Sequence, residues 1–558
     1  MHLPTAALPS HPYAPPNDTY LPGFVSPGRG LRFGLAPVLH PGNVPQTLDG
    51  EADTMKVLVT GGTGLVGKAA VDRLLEAGHT VRLLSRHAED DARQWARGVE
   101  PYPGDVSTDE AVAGAAEGCD AVLHVAGIAH ERPPELTFQA VNVDGTRRLA
   151  REAKRAGVRR FVYVSSLGAE RGTSDYHRSK RAAEEALREV APEGWLVLRP
   201  GNVYGPGDEV ISLLLKMVRA LPVVPTIGRG DQPFQPVWHE DLGLALARAV
   251  ERENPRGTAL SIAGPDITST AEVIDLLEKL TGKSTLRLPI PEALAKLGAN
   301  AAETLGLDVR VTDDQITMLL EGSILAPGEV NALTDTFGVT PLTLGEGLGR
   351  LVDDMPERLP SEGTGTLEGQ RYWADIRGSR LSADELFELF RKEFRALPPE
   401  GLLELGSEPG AKTELEEGNT LTMALPLRGN IQVRVVEIRE RTITCVTLRG
   451  HPLSGAIRFE VCEPTADALR FEVRSYTRPS DLVDLIGMRT FGKVAQKATW
   501  RSVVERLVER SGGTAGDGVQ EETRRLDGAD AAEVEDWVEE VVMRHKRNSA
   551  PSSQGRAA

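Results

Sequence analysis

Cysteine is scarce. The chain has only Cys119, Cys445 and Cys462 among 558 residues. They are too dispersed to make metal-ligand pairs and too few to frame a disulfide scaffold. A cytoplasmic, reducing location suits such a chain. No apolar run approaches the roughly 18 residues that a membrane helix needs. The N-terminus has neither the charged start nor the apolar centre of a secretory signal. Positive charge is in deficit as well. The 64 Lys and Arg stand against 81 Asp and Glu, leaving a formal net charge of −17. Such a balance offers bulk nucleic acid or an anionic membrane little attraction. No cluster of His, Cys, Asp and Glu has metal-ligand spacing.

The length implies more than one domain. Residues 1–54 are rich in proline and glycine and have no hydrophobic period, so they are expected to be a disordered leader or a mis-assigned start. MKVLVTGGTGLVG then begins abruptly at Met55. From there to about 350, apolar strand patterns (KVLVT, TVRLLS, AVLHVAG, RRFVYVSS, WLVLRPG) alternate with helical ones. That alternation predicts an α/β, Rossmann-like, doubly wound parallel sheet. Residues 351–370 read as a linker, from PERLPSEGTGTLEGQ.

Over 371–513 the period changes. A helix carrying Leu386, Phe387, Leu389, Phe390 and Phe394 leads into alternating strands. Two RFEV segments, Arg458–Val461 and Arg470–Val473, predict an antiparallel hairpin with Phe and Val on one face and Arg and Glu on the other. A long amphipathic helix follows, marked by Leu482, Leu485, Ile486, Val494, Val504, Leu507 and Val508. Residues 514–558 read as an acidic, then mixed, tail with one short helix near Trp537.

TGGTGLVG places Gly61, Gly64 and Gly67 between a strand and a helix. Glycine there permits a tight turn, close approach of backbone to a pyrophosphate, and close helix–sheet packing. The helix opens at Leu65 and Val66, and its unpaired N–H groups and positive dipole end suit phosphates. A glycine-rich turn of no further purpose would share the glycines but not this strand–turn–helix setting. The second strand ends in Ser85 and Arg86, where an acidic residue often binds a ribose 2′-hydroxyl. Arginine suits a 2′-phosphate instead, so NADP(H) is expected, with NAD as the alternative.

Tyr176 and Lys180 are four apart, which in a helix puts both on one face. A phenol has an ordinary pKa of about 10, and a neighbouring ammonium stabilises its ionised form. The pair can therefore trade a proton with a substrate oxygen. An exposed Tyr and Lys on a polar helix would show the same spacing by chance. His239 is expected to pack rather than react.

Over 55–350 the chain resembles a short-chain dehydrogenase/reductase of the extended or atypical branch. That branch contains epimerase/dehydratase-like proteins and relatives of a respiratory complex I accessory subunit. The resemblance is carried by TGGTGLVG (60–67), GDV (104–106), HVAG (124–127), NVDGT (142–146), VSSLGA (164–169), YHRSK (176–180), RPGNVYGPGD (199–208) and VWHEDL (237–242). It implies that Asp105 and Val106 contact adenine and that Ala126 and Gly127 line the cofactor cleft. Asn142 would stand beside the active site, with Pro200, Gly201 and Val203 framing the nicotinamide. Ser166, with Ser165 in reserve, would orient the substrate, Tyr176 would act as acid/base, and Lys180 would also reach the cofactor ribose. The implied activity is NAD(P)-dependent hydride transfer on a small carbonyl or carbinol substrate. Nucleotide-sugar epimerase/dehydratase chemistry and non-catalytic NADP(H) binding are the alternatives. Only nine residues separate Ser166 from Tyr176, fewer than the sugar-nucleotide epimerases use, which counts against a standard sugar-nucleotide pocket.

Residues 371–513 resemble helix-grip domains, in which a curved antiparallel sheet closes on a long helix. Such domains often hold an apolar ligand. Tyr372, Trp373, Phe387, Phe390, Phe394, Phe459, Phe471, Tyr476, Phe491 and Trp500 would supply either a ligand surface or simply the core. The oligomeric state cannot be read from one sequence.

Overall fold

The computed structural model describes residues 54–95, 97–134, 136–296, 313–399, 401–425, 429–480 and 493–549. The expected leader lies outside them except for Thr54, as do Leu482, Leu485, Ile486, Phe491 and the side chain of Val494.

Seven strands form the first sheet: β1 (Lys56–Thr60), β2 (Thr80–Ser85), β3 (Val99–Pro103), β4 (Ala121–His124), β5 (Arg160–Val164), β6 (Trp195–Pro200) and β7 (Thr258–Ile262). Their order is β7-β6-β5-β4-β1-β2-β3, and every pairing is parallel. The central strands are apolar along their length because both faces are covered. Val57, Leu58 and Val59 are all fully buried. The covering helices are α1 (Leu65–Glu76), α2 (Gly145–Arg155), α3 (Asp175–Val190) and α5 (His239–Glu251), while α4 (Ile211–Ala220) belongs to a separate core with Val224, Val273 and Leu348. Val71 and Leu74 of α1 and Leu242 and Leu246 of α5 pack on one face. Leu149 of α2 and Ala183 and Leu187 of α3 pack on the other. The chain leaves β1 in one direction and returns at β4 in the other, so a crevice opens beyond the carboxyl ends of these two strands. Further on come α6 (Asp313–Glu321) and α7 (Leu344–Asp353).

The second sheet is antiparallel. Its strands are β8 (Leu367–Arg377), β9 (Thr420–Leu425), β10 (Gly429–Arg439), β11 (Thr442–Thr447), β12 (Leu453–Thr465), β13 (Ala468–Pro479) and β14 (Gln520–Leu526). They are ordered β9-β10-β11-β12-β13-β8-β14, with Glu404–Leu405 beside β9. Helices α8 (Ala383–Glu393) and α9 (Lys493–Ser511) pack on the inner face. The expected RFEV hairpin forms, with Phe459 opposite Val473 and Val461 opposite Phe471. All four are buried. On the far face Glu472 pairs with Arg371 at 2.6 Å and with Arg474.

Six of the expected aromatics, Tyr372, Phe387, Phe390, Phe394, Phe459 and Phe471, lie in this core, and Trp500 packs against it. Phe390 stands 4.9 Å from Phe471 and 5.0 Å from Phe459, centroid to centroid. Trp373 and Tyr476 do not join them. Trp373 stacks with Arg371 at 4.3 Å, and Tyr476 packs edge-on against Trp537.

The tail expected over 514–558 is built into the fold as far as Ser549. β14 pairs with β8 from Leu367 opposite Leu526 to Trp373 opposite Gln520. Helix α10 (Ala529–Ser549) buries Val538, Val541 and Val542 against Val436, Val446 and Ala456 of the sheet. QEETRRL hides its nature because it has no apolar alternation. Its role is to satisfy the open hydrogen-bonding edge of β8.

The expected linker over 351–370 is tied down too. The carbonyl of Val352 accepts from Arg219 Nη2 at 2.9 Å and from Gln432 Nε2 at 3.1 Å. Arg434 of β10 reaches Asp354 and Glu357, both at 2.6 Å. Arg219 of α4 also grips Glu408, Nε to Oε1 and Nη2 to Oε2, each at 2.8 Å. Helix α4 and the second sheet therefore meet across a buried polar seam.

Candidate functional site

The glycine turn follows β1 directly. Gly61 has φ +70°, and a Cβ there would stand 2.7 Å from the Ala126 nitrogen. A Cβ on Gly67 would stand 2.0 Å from the Gly61 carbonyl oxygen. Both positions are thus closed to any side chain, one by conformation and contact, the other by contact alone. Gly64 is the N-cap of α1, and no side chain caps that end. The first N–H groups of α1, at Leu65, Val66 and Gly67, are left for a ligand. This cradle fits a pyrophosphate, so the turn residues would hold a dinucleotide.

Across the crevice, Ala126 donates its N–H to Thr60 Oγ1 at 3.2 Å. Thr60 Oγ1 lies 2.7 Å from His124 Nδ1, and His124 Nε2 lies 3.0 Å from Thr146 Oγ1. Thr146 in turn donates to the Asn142 carbonyl at 2.6 Å. Burial pushes His124 down to about 3, so it is neutral. This fully buried relay fixes the mouth of the crevice. Sequence reading missed it, since Thr60, His124 and Thr146 come together only when β1, β4 and α2 pack.

Asn142 sits in a wide helical turn, Gln139–Asp144, that runs into α2. Its Oδ1 accepts from the Ile128 N–H at 2.9 Å, and its Nδ2 donates to the Ile128 carbonyl and to Ser179 Oγ. A Cβ on Gly127 would stand 3.1 Å from both Asn142 Oδ1 and Lys180 Nζ. Gly127, Asn142 and Lys180 are therefore brought to one place. Val106 is buried beneath α2, and Asp105 accepts from the N–H and hydroxyl of Ser107. Pro200 ends β6, and Val203 begins a two-residue strand paired with Val237–Trp238. Arg86 is exposed beyond β2 and makes no ion pair among the described residues, and its neighbour Ser85 donates to Asp91.

Helix α3 carries Tyr176 and Lys180. Ser174 caps it, accepting from the His177 N–H. Ser166 follows β5, and its side chain lies close enough to Tyr176 to favour the ionised phenol. Ser165 points away and donates to Glu184 Oε1 at 2.7 Å, which leaves Ser166 as the one serine of the pair at the tyrosine. Lys180 Nζ donates to the Val164 carbonyl at 3.0 Å and stands 5.9 Å from the Tyr176 ring centre.

Burial pushes the Tyr176 phenol up to about 12, against the opposing effect of Ser166, and the nearby Glu209 carboxylate adds to the rise. Burial also pushes Lys180 down to about 8, while Glu184 works the other way. The lowering expected from the lysine is not what acts on the tyrosine here: desolvation raises it, and Ser166 is the group that opposes the rise. At neutral pH the tyrosine is protonated and the lysine mostly charged.

Glu184 is a second residue that sequence reading missed. It is fully buried and receives Arg199 through Nε at 2.8 Å and Nη2 at 2.7 Å. Tyr176, Lys180 and Glu184 recur at every fourth position of α3, a signal present in YHRSKRAAE. His239 takes the packing place expected of it. Its ring lies 4.6 Å from that of Trp238, and a Cβ on Gly205 would stand 2.1 Å from it.

A family model described as "NAD dependent epimerase/dehydratase family" matches residues 57–263. Another, described as a domain of unknown function, matches residues 402–506. The chain is 39% identical over 176 residues to a ceramide reductase of Caulobacter vibrioides, covering 31% of this chain and 54% of that protein. It is 32% identical over 268 residues to sterol demethylase protein B of Methylococcus capsulatus, covering 43% of this chain and 79% of that protein. It is 27% identical over 246 residues to the mitochondrial NADH dehydrogenase [ubiquinone] 1 alpha subcomplex subunit 9 of Arabidopsis thaliana, covering 43% of this chain and 61% of that protein. The chain thus spans between half and two thirds of two of these relatives.

Proposed function

Since the chain belongs to the NAD dependent epimerase/dehydratase family, we propose that it is an NAD(P)-dependent oxidoreductase that reduces a carbonyl group, with Tyr176 as the proton donor. The reading is carried by one observation: Ser166, Tyr176 and Lys180 converge at the crevice mouth beside Gly127 and Asn142. A nicotinamide dinucleotide held by the glycine turn would supply the hydride. The chain's own part is proton handling. Ser166 would share the carbonyl oxygen with Tyr176. The Tyr176 phenol, protonated at neutral pH, would give its proton to that oxygen as negative charge develops there. Lys180 would stabilise the phenolate left behind.

NADP(H) is the preferred cofactor on this reading. Arg86 is exposed at the end of β2, with its charge available to a 2′-phosphate. The substrate class is taken from the relatives, whose names point to ceramide and sterol. A lipid-like carbonyl is therefore the first choice.

The test is NADPH oxidation over a panel of ceramide-like, steroid and simple ketones, with Tyr176→Phe alongside. Turnover that drops by about 10³ or more in the variant is expected. Turnover unchanged in Tyr176→Phe rejects the assignment. Tight NADPH binding with no turnover on any ketone favours a non-catalytic cofactor-binding protein.

A further inference from the structure

The short segment before Tyr176 wraps around one ring. A Cβ on Gly168 would stand 2.3 Å from His177 Cε1, and a Cβ on Gly172 would stand 2.3 Å from His177 Nδ1. The two glycines of SSLGAERG therefore let the backbone close on the imidazole beside Tyr176. His177 is itself buried.

A carboxylate from outside this segment completes the wrap. Glu321, at the end of α6, accepts through Oε1 from the Thr173 hydroxyl at 2.6 Å and the Ser174 N–H at 2.9 Å. It also meets the Thr173 N–H. Its Oε2 lies 2.6 Å from His177 Nδ1. Seven residues earlier, two turns along the same helix, Asp314 takes the N–H of Asp175 at 2.6 Å and that of Tyr176 at 3.1 Å. The first N–H groups of α3 thus end on carboxylates of α6, at the end of the helix where the dipole favours negative charge. The hydrogen bonds hold Glu321 down to about 2 despite the desolvation that opposes them, so it is anionic at every working pH.

We propose that Glu321, with Asp314, is a positioning residue for the proton donor. α6 grips the start of α3 through Thr173, Ser174 and His177 and so fixes Tyr176 against Ser166. This device does for a nine-residue segment what a longer loop would otherwise do by its own packing. The role in turnover rests on the proposed reading of Tyr176, whereas the grip itself does not.

The test has two arms. Amide hydrogen exchange over residues 172–178 is compared in the full chain, with and without NADPH, for the native protein, Glu321→Ala and Glu321→Gln. Exchange at Thr173 and Ser174 is expected to rise at least tenfold in Glu321→Ala and to recover partly in Glu321→Gln, which keeps an acceptor. In the second arm, on any ketone the native protein reduces, kcat falls at least tenfold in Glu321→Ala. KM and NADPH affinity stay within about twofold, because the carboxylate spends its hydrogen bonds on Thr173, Ser174 and His177. Unchanged exchange in Glu321→Ala overturns the grip. Raised exchange with unchanged kcat overturns the positioning role. If no ketone is turned over, the exchange arm still decides the grip, and the failure belongs to the proposed activity.

Discussion

Arg219 of α4 and Glu408, just beyond the Glu404–Leu405 strand of the second sheet, form a two-pronged buried ion pair, with both nitrogen–oxygen distances 2.8 Å and neither side chain more than 6% exposed. The pair is embedded rather than isolated. Gln432 accepts from Arg219 Nη1 at 2.9 Å, and Asn430 donates to Glu408 at 2.9 Å. Removing one partner strands a charge in the seam. Arg219→Ala or Glu408→Ala is expected to destabilise the protein by about 3–5 kcal/mol, whereas Arg219→Met with Glu408→Leu recovers most of that loss. Urea unfolding of the three variants checks it, and equal losses in single and double variants would count against a coupled pair.

Lys180 is held at a cost. Its folded pKa of about 8 lies below the ordinary 10.5. A lysine with a depressed pKa weakens the fold fully below pH 8, and the deficit shrinks as pH rises toward 10.5. The gap corresponds to about 3 kcal/mol, less about 1 for the hydrogen bond to Val164 that a neutral replacement forfeits. Lys180→Met is therefore expected to be more stable than the native protein at pH 7 by about 2 kcal/mol, and inactive. The advantage shrinks above pH 8 and is gone by about pH 10.

The same group sets the pH profile of reduction. Tyr176, at about 12, keeps its proton across the accessible range. Lys180 loses its charge above about pH 8. kcat/KM for ketone reduction is expected to be flat from pH 6 to 7.5 and to fall above pH 8, with no acid limb from this pair. A profile that instead rises through pH 8 would mean that the lysine works neutral.

Arg86→Ala tests the cofactor corner. NADPH affinity is expected to fall at least tenfold while NADH affinity changes less than twofold, because only the 2′-phosphate differs. Fluorescence titration of both cofactors reads this directly. Equal losses for the two would place Arg86 elsewhere on the dinucleotide.

Much of this was legible beforehand, for identifiable reasons. The first sheet announces itself because buried parallel strands must be apolar throughout, as VLV at 57–59 is. The glycine turn and the Tyr176–Lys180 pair are legible because each depends on local spacing. The Glu321 grip is not. Its carboxylate and its targets are about 145 residues apart, and an acidic residue at a helix end looks like any solvated surface charge. β14 escaped for a related reason. QEETRRL carries no hydrophobic alternation, since its contribution to the sheet is backbone hydrogen bonds. The hydrogen bonds that tie down Val352, Asp354 and Glu357 were not legible either, because proline and glycine signal a turn in the chain but not whether that turn is exposed.

The pairing of β8 with β13 on one side and β14 on the other bears on how the protein is made. Both neighbours of this strand, the first main strand of the second sheet, are translated long after it, the nearer about 90 residues later. As the chain leaves the ribosome, β8 waits with two bare edges until β13 emerges and with one until β14 does. An unpaired strand edge is a template for pairing with another chain, so the order of synthesis leaves β8 open to a neighbour until its own partners arrive.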